Sequence, residues 1–433
     1  MPELFPSKAH PIAAAREAIQ RGDVTCEEIV HRCLKQIDRH EATVRAWVQV
    51  DAEGALQRAR ELDSLAKPRG PLCGIPVGVK DIVDVAGLPT AAGSERLANS
   101  VASQDAAIVR TLRQAGAIML GKTVTTQFAC FDPPVTTNPW DAQLTPGGSS
   151  SGSAAAVATG MCLAAIGTQT GGSVTRPAAY CGVSSLKPGF RRLEMTGIYP
   201  VAPSLDQAGF MAVDLSGLVT IMSAFQLPPV EVLSNPPTLV PLQGIFAAEA
   251  SAEIRTAIER FIAALESSGA RLMHASTPVE EASVIQHHRT IMCFETWKTH
   301  EQRFREFPDD YLPGITMLLR QGREVTPADY SHACNAQRRL QSDMDSWFAN
   351  HPGAILITPA TPGIPPGTES TGNPIFNSPF SLTGLPTISI PFALSAAGLP
   401  LAVQLIAARD CEAELFAAGL WCEQNIRHAE NYG

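Results

Sequence analysis

Two short stretches of this 433-residue chain gather the residue types that acyl transfer needs. One is Pro146-Gly147-Gly148-Ser149-Ser150-Ser151-Gly152-Ser153; the other is Gly167-Thr168-Gln169-Thr170-Gly171-Gly172-Ser173. Attack on a carbonyl requires a hydroxyl, a base to take its proton, and donors for the oxyanion that develops. Glycine supplies the last of these indirectly, because a ligand can approach backbone N–H groups where no side chain stands in the way. A single Gly/Ser loop is usually only a turn. Two of them, joined by a small-residue helix and an apolar strand, weaken that reading.

Other chemistries fit less well. Gly148-Ser149-Ser150-Ser151-Gly152 satisfies G-x-S-x-G formally, yet a nucleophile elbow must leave a core strand, and Asn138 to Thr145 is polar and carries Pro139. A phosphate loop requires Gly-Lys-Ser/Thr or a G-x-G-x-x-G that opens a helix after a strand; neither is present. His287-His288 has no third ligand at helical spacing, so it points to a metal only weakly.

The elements that must position these loops alternate. Residues 9–63 read as helical, with Thr25-Cys26-Glu27-Glu28 as a capping box and a strand-like interruption at Val44 to Val50. From Gly74 onward, Ile75 to Lys80, Ala117 to Gly121 and Leu163 to Gly167 read as strands. Asp105 to Ala115 and Ser153 to Thr159 are the helices between them. A second run follows: strand Gln243 to Ala247, helix Glu253 to Ser268, strand Arg271 to His274, strands at Ala354 to Thr358, Thr387 to Pro391 and Ala402 to Ile406, then helix Glu412 to Asn425. Such alternation predicts an α/β sheet covered on both faces. Residues 280–350 read as helical with scattered aromatics (Trp297, Phe304, Tyr311, Tyr330, Trp347). They are either an insertion over the site or a solvated helical layer with a few core aromatics. No repeat or low-complexity linker divides the chain, which favours one large domain.

Composition bounds the partners. With 45% hydrophobic and 17% charged residues the chain is a globular enzyme in type, not a disordered one. A formal charge of −9 without a Lys/Arg stripe disfavours nucleic acid. No apolar span approaches the roughly 20 residues of a membrane helix. The first residues, MPELFPSKAHP, do not read as a secretory signal, so the expected location is cytoplasmic. Ten cysteines without a CxxC pair suggest neither a metal cluster nor a disulfide framework.

The stretch Pro146 to Pro188, PGGSSSGSAAAVATGMCLAAIGTQTGGSVTRPAAYCGVSSLKP, resembles the amidase signature. The likeness extends to Gly74-Ile75-Pro76-Val77-Gly78-Val79-Lys80-Asp81, Gly121-Lys122-Thr123, Thr137-Asn138-Pro139-Trp140 and Ala202-Pro203-Ser204-Leu205-Asp206. It returns at Phe376-Asn377-Ser378-Pro379 and Gly384-Leu385-Pro386. The resemblance implies the amidase signature fold, a central mixed β-sheet with helices on both faces. It also implies a single domain over 1–433, with an N-terminal helical segment (1–70), a signature core (72–212) and the 280–350 helices. Carried over by position, the catalytic lysine falls on Lys80, the bridging cis-serine on Ser149 and the nucleophile on Ser173. Backbone donors at Thr170, Gly171, Gly172 and Ser173 form the implied oxyanion hole, and Ser150 is a supporting partner. The implied activity is hydrolysis of a linear carboxamide or urea-like C–N bond, without cofactor or metal, on a small-molecule substrate. The family's habit of dimerising is the ground for expecting a homodimer.

That triad also makes chemical sense residue by residue. Lysine acts as a base only when neutral, and burial at the end of an apolar strand disfavours its charged form. Asp81 would oppose this if it faced the same way, but side chains alternate along a strand. Departures from the family pattern are Gln169, where aspartate is usual, and Thr175-Arg176, where arginine usually comes one residue earlier. They predict a nucleophile loop tied down by neutral hydrogen bonds, or an arginine with a different partner. By family position Phe128, Cys130, Tyr180 and Phe376-Asn377 line the pocket, although as bare residue types they more often serve as core packing; Arg176 is a further substrate-binding candidate. Arg176, Arg289 and Arg320 are candidates to anchor an acidic substrate. A glutamine-hydrolysing amidotransferase component, dependent on a partner, is the nearest alternative within the family; Glu369-Ser370-Thr371-Gly372-Asn373-Pro374 looks more like the stand-alone hydrolases. A non-catalytic scaffold is the third reading, and retention of all three triad residues argues against it.

Overall fold

The computed structural model describes residues 11–66, 70–231, 233 and 235–429; the remainder of the N-terminal segment, 1–10 and 67–69, lies outside the described residues. Among the described residues eleven strands form one sheet. In chain order they are β1 (Trp47–Val50), β2 (Pro76–Lys80), β3 (Ile118–Thr123), β4 (Ala164–Gln169), β5 (Ser184–Lys187), β6 (Gln207–Ala212), β7 (Thr238–Pro241), β8 (Arg271–Leu272), β9 (Ala354–Pro359), β10 (Thr387–Leu394) and β11 (Pro400–Ile406). They are arranged β1-β3-β2-β4-β6-β5-β10-β11-β9-β7-β8. The sheet is mixed: β2 runs parallel to β3 and β4, and β7 parallel to β8 and β9, while the other pairings are antiparallel. Every residue of β2, β3 and β4 is buried, as expected for parallel strands with helices on both faces.

The register of β2 against β4 (Val77↔Ala164, Val79↔Ile166) brings their C-terminal ends to one edge, where α/β sheets commonly place their sites. The helix Ser151–Ala158 is buried along nearly its whole length. Small residues permit this. A Cβ on Gly152 would collide with the backbone of Ala46 and Val124, so the helix packs closer than larger residues would allow.

Two predicted boundaries are corrected. Gln243 to Ala247 is not a strand. β7 lies upstream at Thr238–Pro241, and after Gly244, at φ +58°, residues Ile245–Ala248 turn helically to bury Phe246. Similarly, Val44 closes the helix Cys26–Val44, whose capping box at Thr25 and Glu28 is present; Arg45 in the left-handed region ends it before β1. Residues 280–350 contain the helices Ser283–Glu306, Pro313–Glu324 and Pro327–Asn350. Among the described residues no helix is long and apolar enough to cross a membrane.

Candidate active site

Lys80 is the last residue of β2 and is fully buried. Its Nζ donates to Ser149 Oγ at 2.7 Å and to Thr168 Oγ1 at 2.8 Å, with Thr168 O at 3.4 Å. Burial pushes its pKa down to about 7, against the opposing pull of Asp206 and Cys130. Among the described residues two other lysines are as deeply buried, but Lys122 pairs with Asp81 at 3.0 Å, and Lys187 donates to Gln207 and to the Leu385 carbonyl. Asp81 therefore faces away from Lys80, as strand alternation predicts.

Ser149 follows a cis peptide bond from Gly148. Ser150 Oγ lies 3.3 Å from both the carbonyl and the amide of Thr168, and its own amide donates to Ser173 O at 3.3 Å, so it ties the two loops together. Ser173 sits between β4 and the helix Thr175–Cys181 and is only partly buried. Gln169 Oε1 accepts from the amides of Val174 and Thr175 at 2.9 and 3.0 Å, which anchors the start of that helix. The neutral amide thus ties the loop down by hydrogen bonds alone. Thr170 Oγ1 donates to buried Asp206 at 2.6 Å; burial raises that carboxyl, while this bond and the amides of Val201 and Ala202 oppose the rise.

A cavity of about 270 Å³ opens over this loop, lined by Thr170 to Ser173 and Arg176 on one side and Cys130, Thr371 and Pro374 on another. Its roof comes from the 283–306 helix (Ile285, Gln286, His288, Arg289, Met292) and from Leu318. A larger groove, about 1200 Å³, elsewhere on the chain contains none of the predicted site residues.

Of the pocket residues expected from the sequence, Cys130 and Arg176 line this cavity, and Phe128, Tyr180, Phe376 and Asn377 do not. Phe128 packs among Tyr199, His300 and Tyr311, at ring-centroid distances of 4.8 to 5.3 Å. Tyr180 is buried under Gly147 and Gly372. Asn377 is buried beneath Gly172, donating to Ala360 O and Gln404 Oε1. Each is a large or amide side chain close in sequence to cavity residues but turned inward. Arg320 is absent from the lining, whereas Arg289 is part of it.

Arg176 is 3% exposed. Its Nη2 donates to Gly148 O at 2.7 Å and reaches Thr371 Oγ1 at 3.3 Å, but Nε and Nη1 are buried with no partner among the described residues. Desolvation lowers its pKa to about 10. Residues that sequence reasoning missed are Thr168, which shares Lys80, and Ser381 and His288, which hold the loop carbonyls. In sequence the His287-His288 pair reads only as a weak metal ligand set; helical spacing splits it, with His288 buried against Thr170 and His287 beside His332.

An α/β sheet that delivers a buried lysine to a serine hydroxyl, beside a glycine-rich loop that lines a cavity, defines a candidate serine–lysine hydrolase site. The Amidase family model matches residues 28–228 and 240–416, and the chain belongs to this family. It is 30% identical to a glutamyl-tRNA(Gln) amidotransferase subunit of Synechococcus sp. (strain CC9605), over 91% of this chain and 92% of the relative. With the corresponding subunit from Roseobacter denitrificans the identity is 31%, covering 96% of each. Among solved structures, a protein described simply as an amidase superposes with TM-score 0.88 at 27% identity, covering 95% of this chain and 99% of the other. A peptide amidase from Stenotrophomonas maltophilia gives TM-score 0.83 at 26% identity, covering 98% of each.

Proposed function

We propose that the protein is a stand-alone amidase that hydrolyses a small carboxamide or urea-like C–N bond through an acyl-enzyme on Ser173. The observation that carries this reading is the 2.7 Å contact between Lys80 Nζ, pushed down to about 7, and Ser149 Oγ. Neutral Lys80 takes the proton of Ser149 as Ser149 takes that of Ser173, whose Oγ bonds to the amide carbon. Collapse of the tetrahedral adduct breaks the C–N bond, and the proton returns along the same chain to the departing nitrogen. Water then attacks the ester by the same relay, giving acid and free Ser173. The amides of Gly171, Gly172 and Ser173 take part in no hydrogen bond among the described residues, which leaves them available to the oxyanion.

The cavity supports a small substrate, and the unpaired Nε and Nη1 of Arg176 support one that carries an anionic group beside its amide. A buried guanidinium without a counter-ion is costly, and a bound carboxylate offsets that cost. Similarity to structures described as amidases supports amide hydrolysis as the reaction. The second reading, glutamine hydrolysis within an amidotransferase, is favoured by what the curated relatives are called. Ammonia or amine release should be assayed on neutral amides, ureas, dicarboxylic monoamides and glutamine, beside Ser173→Ala and Arg176→Met. Release from an anionic monoamide by the purified chain, lost in Ser173→Ala and with KM raised at least about tenfold in Arg176→Met, supports the stand-alone reading. Silence without a partner, together with fluorophosphonate labelling of Ser173, would favour the second.

A further inference from the structure

The loop from Thr170 to Ser173 is held by its carbonyls. Thr170 O accepts from His288 Nε2 at 2.8 Å, Gly171 O accepts from Ser381 Oγ at 2.8 Å, and Gly172 O accepts from the Arg176 amide at 2.9 Å. In a trans peptide the C=O and N–H point in opposite directions, and the only cis bond among the described residues is Gly148-Ser149. Each pinned carbonyl therefore fixes where the next amide points: Gly171, Gly172 and Ser173 in turn. The third pin is the first turn of a helix. The first two come from elements far away in sequence, the 283–306 helix and the helix Ser378–Thr383.

We infer that His288 and Ser381 are positioning residues that aim the amides of Gly171 and Gly172 at the carbonyl oxygen of the bound amide. The inference rests on reading this loop as the oxyanion site. Two consecutive glycines carry wide backbone freedom, so without outside restraint those amides would sample many directions. Direction matters here, because a donor contributes only when it is preorganised toward the charge that develops.

The chemistry of each pin suits the task. A carbonyl only accepts, so His288 Nε2 carries the proton. Burial lowers the His288 pKa to about 4, so the imidazole donates without bringing a charge next to the oxyanion. Ser381 Oγ in turn lies 3.3 Å from Gln169 Nε2, the side chain that also holds the amides of Val174 and Thr175. Gln169 and Ser381 thus form one neutral network beneath the loop. His288 belongs to the helix that roofs the cavity, so the roof itself sets the orientation of the Thr170–Gly171 peptide.

The test uses a dialkyl fluorophosphate, whose P=O requires the same donors, on wild type, Ser173→Ala, His288→Ala, His288→Gln and Ser381→Ala, with kinact and KI separated. We expect Ser173→Ala to be unlabelled. For His288→Ala and Ser381→Ala, kinact should fall about 10-fold or more with KI little changed, less than the loss of a whole donor. His288→Gln, which retains an N–H near the same place, should recover most of the rate. Ser173-dependent labelling with wild-type kinact in both alanine variants would overturn the inference and leave the proposed site standing. So would a rise in KI alone, or a His288→Gln no better than alanine, since either marks His288 as mere cavity wall. Labelling of Ser173→Ala at the wild-type rate would overturn both. If His288→Ala fails to fold, His288→Gln and Ser381→Ala carry the decision.

Discussion

If Lys80 is the base, its ionisation must govern the acid side of the activity profile. Its folded pKa is about 7, against an ordinary value of 10.5. Only the neutral amine accepts a proton, so kcat/KM should fall about tenfold per pH unit below 7, to about 1% of its plateau at pH 5. The same shift has a stability consequence. Between about pH 7 and 10.5 the unfolded chain binds a proton that the folded chain does not, so this group makes stability rise with pH by about 1.4 kcal/mol per unit. That gain is complete above 10.5 and absent below 7. Lys187, also buried and pushed to about 7, adds a similar slope, so Lys80 is isolated by the difference between wild type and Lys80→Met. The assay is a pH-rate profile at two temperatures, with urea melts of both proteins from pH 6 to 10. Asp206 is the competing titrant, since burial raises its carboxyl. A cationic acid such as lysine shifts its midpoint downward on heating, whereas a carboxyl hardly moves. An acid limb below pH 5, a midpoint insensitive to temperature, or a Lys80→Met enzyme with more than about a hundredth of wild-type kcat would refute the assignment.

Other substitutions separate chemistry from scaffold. Gly172→Ala places a Cβ 2.5 Å from Asn377 Oδ1 and 3.0 Å from Pro374, so it should cost about 1–3 kcal/mol by denaturation and most of the Ser173 labelling rate. Lys122→Met strips buried Asp81 of its counter-ion and should destabilise by about 3–5 kcal/mol, read from urea midpoints at pH 7, with relief as Asp81 protonates in acid. Phe128→Ala opens a hole in the Tyr199–His300–Tyr311 cluster; a loss of about 3–5 kcal/mol with KM within twofold would agree with its place outside the cavity.

How much of this was legible in the sequence depended on how local each cause is. Strands β2, β3 and β4 are short apolar runs bounded by turns, and the sequence locates them to within a residue or two. β5 and β6 escaped because Ser184-Ser185-Leu186-Lys187 and Gln207-Ala208-Gly209-Phe210 present polar or small residues. Their burial comes from neighbouring strands β10 and β4 and from Lys187 reaching across to Gln207, none of which leaves a periodic pattern. Conversely, Ile245-Phe246 looked like strand because an apolar pair reads the same on one turn of helix. The Gly/Ser loops were legible as a candidate site because glycine and serine crowd there, and these types supply bare amides and hydroxyls locally.

What the sequence withheld is the support of that site. His288 and Ser381 lie more than a hundred positions from the carbonyls they hold, and a single histidine or serine carries no mark of its partner. Gln169 illustrates the intermediate case. Its type departs from an aspartate-bearing pattern, and the departure itself pointed to neutral hydrogen bonds around Ser173, but only the fold supplies the second half of the network at Ser381. The physical consequence is that, apart from Asp206 on the Thr170 hydroxyl, the side chains that hold the Ser173 loop are neutral. In a low-dielectric site an anion favours the protonated amine, so neutral restraints are compatible with a lysine whose pKa burial lowers to about 7. Glutamine, serine and neutral histidine holding the loop, and the deep burial of Lys80, thus support the same reading, the proposed one of Lys80 as the base.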